Sequence, residues 1–411
     1  MKRHWRKILP FATDSAGAIG TFAYCDVHAL PLDPSGTSAI YWRNDGREAE
    51  NFYTSRIPLS TSHFTLERVD DFMDAYRRQL EGDYPQVILL VDTPITAQVG
   101  VDLEGLGTLL EAERNVPVIV VRTTANDFYD IGVQKALLAL YERTIPAGSR
   151  ASLRDCGIIP GTFNMLGVNL LDHVCPDFTN ELYAACAAQG MHVLTRWGDQ
   201  EDVESLERAP FAQFNLVASA AALKLARKME RDLGMPYVTL DALDVLDYAA
   251  DGLSISYDAR ILVIGEQITS NLVRRLLGIM ARAGKADVDV NVATFYTLDK
   301  ALAQEGDVRF AEEDDVERVV LDGNYDLVIV DPSLETLMPR GYRHLVYPLV
   351  HNATSNYAHM LDYPANLLDR AWLAGVAERI ARENRTSFMP HTKSEMMGAA
   401  GLRRPQRPKR S

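Results

Sequence analysis

The fold is decided by the stretch FNMLGVNLLDHVCPDFTNELYAACAAQGMHVLTRWG (residues 163–198), which NLVASAAALKLARKMERDLGMPYV (residues 215–238) continues. Its residue patterns predict three strands and two helices, at residues 163–168, 191–197 and 214–217 and at residues 177–189 and 219–233. Gly190 and Gly234 end the two helices, as a glycine at the C′ position does. Strands that alternate with helices in this way indicate parallel βαβ units and an α/β fold.

The same alternation occurs on both sides of this stretch. Before it, the patterns predict helices at 13–24, 64–80, 100–113 and 132–143 and strands at 86–91 and 116–122. After it, they predict strands at 261–264, 288–292 and 326–330 and helices at 269–283, from 312, and at 364–383. We therefore predict three Rossmann-like α/β domains with parallel sheets flanked by helices, and a basic, disordered tail, at residues 1–154, 155–252, 253–385 and 386–411.

Composition restricts the classes of function. The chain has 411 residues, of which 47% are hydrophobic and 24% charged, as in ordinary globular proteins. A net charge of −14 argues against a nucleic-acid-binding surface, and the basic tail at 403–410 fits a solvated segment better than a lipid or nucleic-acid contact. No apolar run reaches the ~18 residues of a membrane span, and the N-terminal apolar run is too short for a signal peptide. We expect a cytoplasmic protein that does not enter a membrane.

The four cysteines do not form a metal-binding motif. Cys25, Cys156, Cys175 and Cys186 include no CxxC pair, so the sequence predicts neither a zinc knuckle nor a ferredoxin run. Cys186 lies inside a predicted helix, which favours a small core residue.

Two loops could bind ligands. Gly265 follows a predicted strand and precedes a helix, as phosphate-binding glycines do, but the adjacent Glu266 would repel phosphate and the nucleotide-binding motifs are missing. His173 and Cys175 lie beyond the carboxyl end of a predicted strand, where they could hold a metal. A helix-capping loop is the commoner explanation of that second pattern.

Four segments resemble the second domain of component 1 of nitrogenase and its relatives. They are the strand that ends in a Gly/Asn loop, the helix that ends at Gly190, and the NLV and GMPY segments. Those relatives include the dark-operative protochlorophyllide and chlorophyllide reductases and cluster-assembly scaffold proteins. The resemblance covers almost all of residues 10–385. It implies a component 1-like fold.

In that family, cysteine motifs of the first domain hold an iron–sulfur cluster between two subunits. The frames of three such motifs are present here, at SAGA (15–18), LDPSGT (32–37) and DTPITAQVGVD (92–102). Carried over position by position, the cysteines fall at Ser15, Thr37 and Pro94. Proline has no ligand atom, and hydroxyl oxygens are weak ligands for iron. The resemblance thus implies a divergent member for which an iron–sulfur cluster is possible only with a partner subunit.

The family's active metal cofactor is held by a cysteine of the second domain and a histidine near the C-terminus. The cysteine position falls at Ala218 or Ser219, so that thiolate is lost here. The histidine position falls near His351, within YPLVH at 347–351. His351 is therefore a candidate ligand or proton donor, although a hydrogen-bonded loop histidine is the reading that we favour.

The resemblance implies a subunit of a nitrogenase-like two-component oxidoreductase. Such a subunit pairs with a cysteine-bearing paralogue or with itself, as a dimer or tetramer, and an ATP-dependent iron–sulfur reductase supplies low-potential electrons. The second hypothesis is a non-catalytic scaffold or ligand-binding protein that keeps the fold and has lost the chemistry.

The loops that held the cluster motifs keep their glycines, Gly17, Gly36 and Gly100. Glycine suits a backbone that approaches a neighbour closely. We therefore expect residues 13–38 and 92–103 to form a dimer interface. The apolar side chains expected at its centre are those of Phe22, Tyr24, Ile95 and Val99.

Overall fold

The structure is a computed structural model, and it describes residues 6–8, 11–31, 70, 73–74, 76–77, 85–93, 96–97, 100–124, 126–155, 157–172, 176–200, 202–354 and 367–387. The strands are β1 Val27–Pro31, β2 Val87–Val91, β3 Val118–Val121, β4 Ile159–Leu166, β5 His192–Trp197, β6 Ala212–Val217, β7 Tyr237–Thr239, β8 Ala259–Ile264, β9 Val288–Thr294, β10 Val308–Arg309, β11 Leu327–Val330 and β12 Val346–Pro348. The helices are α1 Asp14–Gly20, α2 Leu103–Arg114, α3 Tyr129–Thr144, α4 Arg150–Asp155, α5 Pro176–Ala188, α6 Leu223–Leu233, α7 Gln267–Gly284, α8 Asp314–Gly323 and α9 Arg370–Ser387.

These strands form three parallel sheets. The first has the order β1-β2-β3, the second β5-β4-β6-β7 and the third β10-β9-β8-β11-β12. All five residues of β2 and all four of β11 are buried, because helices cover both faces of a parallel sheet. The predicted α/β class, with parallel sheets flanked by helices, is confirmed. The divisions at residues 154 and 252 fall between the sheets, and as domain boundaries they stay predictions.

The stretch at residues 163–238 forms the second sheet as its pattern predicts. The central strand β4 pairs with β5 on one side and β6 on the other, and Asn164 is in register with Asn215. Gly190 adopts a φ of +74° directly after α5, and Gly234 ends α6 with a φ of +63°. Both backbone conformations favour glycine, which explains why the helices end there.

The structure contains four short strands that the sequence patterns do not predict, β1, β7, β10 and β12, and each lies at the edge of a sheet. Strand β1 ends in Pro31 and lies at one edge of the first sheet, where a proline is tolerated. Strand β12 has only three residues and also lies at a sheet edge. The predicted helix at 64–80 and the basic tail lie mostly or wholly outside the described residues.

Helices α1 and α3 cross so closely that their backbones touch. A Cβ atom placed on Gly17 would lie 1.9 Å from the carbonyl oxygen of Tyr129, and one on Gly132 would lie 1.8 Å from the carbonyl oxygen of Asp14. Both glycines are buried. Gly17 is thus required by packing within the chain, which is a different reason from the contact between subunits that its position in a cluster motif suggested.

Within the described part of the chain, none of the helices combines the length and the apolar character needed to cross a bilayer.

Candidate functional site

A buried group of polar side chains lies where loops from all three sheets meet. We call Tyr129, Asp172, Tyr296, His351 and Thr354 the central cluster. Tyr129 begins α3, Asp172 follows β4, Tyr296 follows β9, and the other two follow β12. Parallel strands place the loops that follow them at one edge of a sheet, so residues far apart in sequence converge at the junction between sheets.

Both ring nitrogens of His351 have partners inside this cluster. Nε2 lies 3.2 Å from the Tyr129 hydroxyl and 3.3 Å from Asp172 Oδ1. Nδ1 lies 2.9 Å from Thr354 Oγ1 and 3.3 Å from the Tyr296 hydroxyl. The Tyr129 hydroxyl also donates to Asp172 Oδ1. The cluster is therefore a continuous hydrogen-bonded path, along which a proton can be shared.

Burial controls the charge of the carboxyl groups here. Asp172 is 1% exposed, and desolvation raises its pKa to about 7, although the hydrogen bond from Tyr129 opposes the shift. Desolvation also raises the pKa of Glu266 to about 7, and the charge of Asp172 adds to that shift. Desolvation and the charge of Asp172 raise the pKa of Tyr129 far above its ordinary value. The site thus favours protonated, uncharged forms.

Glu266 joins the second and third sheets. Its Oε1 accepts a 2.7 Å hydrogen bond from the backbone N–H of Ala220, which precedes α6. Its Oε2 accepts a 2.9 Å hydrogen bond from the N–H of Thr269 in the first turn of α7. A carboxylate is stabilised at helix N-termini, because the unpaired N–H groups there point toward it. The side chain of Glu266 therefore occupies the position that an anion would take in a phosphate-binding loop.

Ser15 connects two of the cluster-motif loops. Its Oγ donates to the carbonyl oxygen of Asp92 over 3.2 Å and lies 2.8 Å from Thr123 Oγ1. The loop that begins at Asp92 contains Pro94, the third of the positions where the family has cysteine. Thr37 and Pro94 lie outside the described residues.

Replacing Ser15 with alanine should lower the free energy of unfolding by about 1 kcal/mol, because the carbonyl of Asp92 and the hydroxyl of Thr123 each lose a partner. Ser149, which is half-buried like Ser15 but whose hydroxyl makes a solvent-exposed hydrogen bond to the carbonyl of Pro146, is the matched control. Ser149→Ala should change the same quantity by less than ~0.5 kcal/mol. Urea unfolding of both variants measures the difference, and equal values would remove the structural role assigned to Ser15.

The described residues do not fit the family's metal groups. They contain no set of three or more His, Cys, Asp and Glu side chains that could hold a metal ion. Burial raises the pKa of Cys25 to about 12 and that of Cys186 to about 11, which disfavours the thiolate form that binds iron. Both nitrogens of His351 face hydrogen-bond partners rather than an open coordination position. The described residues therefore do not support chemistry at a metal bound by this chain alone.

The two positions that correspond to the family's cofactor ligands both lie near one carboxyl group. Ser219 is fully buried, donates to the carbonyl of Gly167 over 3.1 Å, and is close enough to Asp172 to lower its pKa. His351 contacts the same carboxyl group. Both positions are therefore engaged with Asp172, a side chain of the protein itself.

Sequence reasoning missed four members of the central cluster, Tyr129, Asp172, Tyr296 and Thr354, and it missed Glu266 in its ligand-like role. Asp172 precedes the His173 and Cys175 pair that the sequence singles out, and those two residues lie outside the described part. The available signal was the position of each residue directly after a strand or at a helix start. That signal is shared by many loop residues.

Comparisons with known proteins agree with this architecture. The family model of the nitrogenase component 1 type oxidoreductases matches residues 75–246. A solved structure titled nitrogenase Cp1 at pH 6.5 is similar with a TM-score of 0.65 and 14% identity, over 96% of this chain and 97% of that chain. A second, titled nitrogenase Cp1 at pH 5, is similar with a TM-score of 0.64 and 15% identity, over 95% of this chain and 92% of that one. None of the curated proteins matches. Residues 75–246 thus match the family model of the nitrogenase component 1 type oxidoreductases, and the chain shares the fold of these nitrogenase structures over nearly its whole length.

Proposed function

We propose that the chain is a subunit of a cytoplasmic, nitrogenase-like two-component oxidoreductase. It would pair with a cysteine-bearing paralogue, or with a second copy of itself, and an ATP-dependent iron–sulfur reductase would deliver low-potential electrons to the cluster of the complex. In this arrangement the partner supplies the thiolates that bind the iron–sulfur cluster, and the present chain supplies the protein surface on the other side of that iron–sulfur cluster.

One observation carries this proposal: two of the cluster-motif segments, those of Ser15 and Asp92, are in contact although the cysteine position in the first is a serine. Ser15 holds the α1 loop against the carbonyl of Asp92 and the hydroxyl of Thr123. Burying hydroxyl groups costs free energy unless they are hydrogen-bonded, and here each has a partner. If the partner binds the iron–sulfur cluster, this subunit needs the conformation of the motif loops but not the thiolates.

The same frame offers a surface for the partner. Tyr24 is 39% exposed at the end of the α1 segment, whereas Phe22 is fully buried and belongs to the core. Ile95 and Val99 lie outside the described residues. A specific interface buries roughly 800 Å² per partner around an apolar centre, so Tyr24 would be one member of a larger patch.

The test is anaerobic production of the chain alone and together with a cysteine-bearing paralogue from the same genome. We expect the chain alone to contain no stoichiometric iron or acid-labile sulfide, because the positions of the cluster ligands are Ser15, Thr37 and Pro94. The co-produced subunits should purify together and contain both elements, and Tyr24→Asp should weaken that co-purification. Stoichiometric iron and sulfide in the chain alone, or elution of the two chains as separate species, would refute the proposal.

A non-catalytic scaffold or ligand-binding role is the second candidate. The observation that favours it is the central cluster, in which His351 hydrogen-bonds side chains of the protein itself and shares the Asp172 carboxyl group with Ser219. The two candidates differ in the native complex. Metal analysis of material purified from the source cells should find a cluster in the first case, and a metal-free homomer in the second.

A further inference from the structure

The first described residues of the chain are bound to one buried carboxylate. The backbone N–H of Arg6 donates to Glu313 Oε2 over 3.0 Å, that of Lys7 lies 3.1 and 3.2 Å from the two oxygens, and that of Ile8 donates to Oε1 over 3.1 Å. Glu313 is 5% exposed and precedes α8. Consecutive N–H groups around an anion form strong, charge-assisted hydrogen bonds. Glu313 thus provides the buried anchor between the N-terminal segment and the third sheet unit, and Lys7 Nζ adds an exposed ion pair with Asp314 Oδ1 at 2.9 Å.

A few residues later, the same segment is hydrogen-bonded to both loops that carry the central cluster. The N–H of Ala12 donates to the carbonyl of Ala353 over 2.8 Å, in the loop that contains His351. The carbonyl of Ala12 accepts a 2.9 Å hydrogen bond from the N–H of Tyr129. The N–H of Ala353 in turn donates to the carbonyl of Leu171 over 2.7 Å, next to Asp172.

The aromatic side chain of Phe11 also packs against the central cluster. Phe11 is 4% exposed, and its ring centroid lies 5.9 Å from that of Tyr296, 5.1 Å from that of Phe295 and 5.6 Å from that of Phe128. Phe11 therefore packs against Tyr296, whose hydroxyl contacts His351, and against the residue that precedes Tyr129. Aromatic pairs at these separations contribute attraction beyond the burial of their area.

We propose that residues 6–8 and 11–13, here called the N-terminal strap, hold the central cluster closed, and that release of the strap from Glu313 exposes the loop of His351 to solvent. The strap makes main-chain hydrogen bonds to the two segments that supply Tyr129 and His351, so its departure would break the hydrogen bonds of the Tyr129 N–H and of the Ala353 carbonyl to Ala12. Buried backbone groups without partners are costly, and the loop would open until water replaced the lost bonds. This inference does not depend on which of the two proposed functions is correct.

The test compares Glu313→Gln with Glu312→Gln in the full chain. The first substitution would remove the negative charge of Glu313 and turn an NH₂ group toward the N–H donors, whereas Glu312 is an exposed neighbour on the same turn. Hydrogen–deuterium exchange would follow the amides of residues 6–8 and 351–354, and amides of β8 would report opening of the whole molecule. Diethyl pyrocarbonate would report access to His351, with the exposed His344 as the internal standard.

In Glu313→Gln we expect amide exchange at 6–8 and at 351–354, and modification of His351, to accelerate by at least about tenfold while β8 stays protected, because the openings are local. Glu312→Gln should behave as the unaltered protein does. Ala12→Pro, which removes the N–H that bonds to Ala353, should open the 351–354 loop even with Glu313 intact. Residues 6–8 that stay protected in Glu313→Gln, or a His351 loop that stays closed in both variants, would overturn the proposal.

Discussion

Gly132→Ala should lower the free energy of unfolding by at least about 3 kcal/mol, at the upper end of the effects of overpacking. The added Cβ would lie 1.8 Å from the carbonyl oxygen of Asp14, and this contact is with backbone, which cannot rotate away. Helices α1 and α3 would have to separate. Since Gly17 makes the reciprocal contact with Tyr129, the shift would also disturb the residue that begins the central cluster.

A second glycine gives the control with the opposite sign. Gly278 lies inside α7, where a Cβ would meet only Arg282 Nη1, at 3.7 Å. Gly278→Ala should raise the free energy of unfolding by ~0.5–1 kcal/mol, because alanine loses less backbone entropy in a helix. Urea unfolding curves, compared at equal slope, measure both values. A Gly132→Ala protein as stable as the unaltered one would contradict the close crossing of α1 and α3.

The free energy of unfolding should fall as the pH rises from about 4 to about 7, and Asp172→Asn should remove a large part of that fall. The pKa of Asp172 and that of Glu266 are each raised to about 7 in the folded protein, and both are near 4 in an unfolded chain. Between these values the folded state binds more protons. The stabilisation is therefore complete below the unfolded pKa and is lost as the pH rises through the folded pKa, at a rate on the order of 1.4 kcal/mol per pH unit for each group.

Asparagine keeps the shape of Asp172 and can still accept the hydrogen bond from Tyr129, but it cannot ionise. Because the charge of Asp172 is one cause of the raised pKa of Glu266, the substitution should weaken the contribution of Glu266 as well. Urea unfolding at several pH values between about 5 and 8 tests this. Asp251→Asn, at an exposed carboxyl, should keep the pH dependence of the unaltered protein. If Asp172→Asn also showed the pH dependence of the unaltered protein, the carboxyl groups of Asp172 and Glu266 would not be its source.

The sequence predicted the parts of the fold that depend on local pattern. The apolar run that forms β4, the glycine after α5 and the buried Cys186 are each determined by residues within one helix or strand, and all three are confirmed. Strands β1, β7, β10 and β12 were missed because they are short edge strands, whose pairing partners and not their own composition make them extended.

The central cluster was harder to predict for a related reason. Tyr129 and His351 are 222 positions apart, and Asp172 and His351 are 179 apart. No spacing rule within one sequence connects residues at such separations. His351 and Ser219 were located only through the family resemblance, which marks positions but does not reveal that both lie near the Asp172 carboxyl group. The sequence showed that Glu266 disfavours phosphate. Its hydrogen bonds to two helix N-termini could not be predicted, because the loop of Ala220 meets Glu266 only in the folded structure.

The N-terminal strap also constrains the order in which the protein can be completed during synthesis. Arg6 and Glu313 are 307 positions apart, so the strap leaves the ribosome long before its partner is made. The first sheet can pair earlier, because β1, β2 and β3 all precede residue 122. Until Glu313 and Ala353 have been translated, Phe11 has neither its anchor nor the loop that it covers. Closure of the central cluster is therefore a late event, and the nascent chain carries an uncovered aromatic segment until the third sheet has been made.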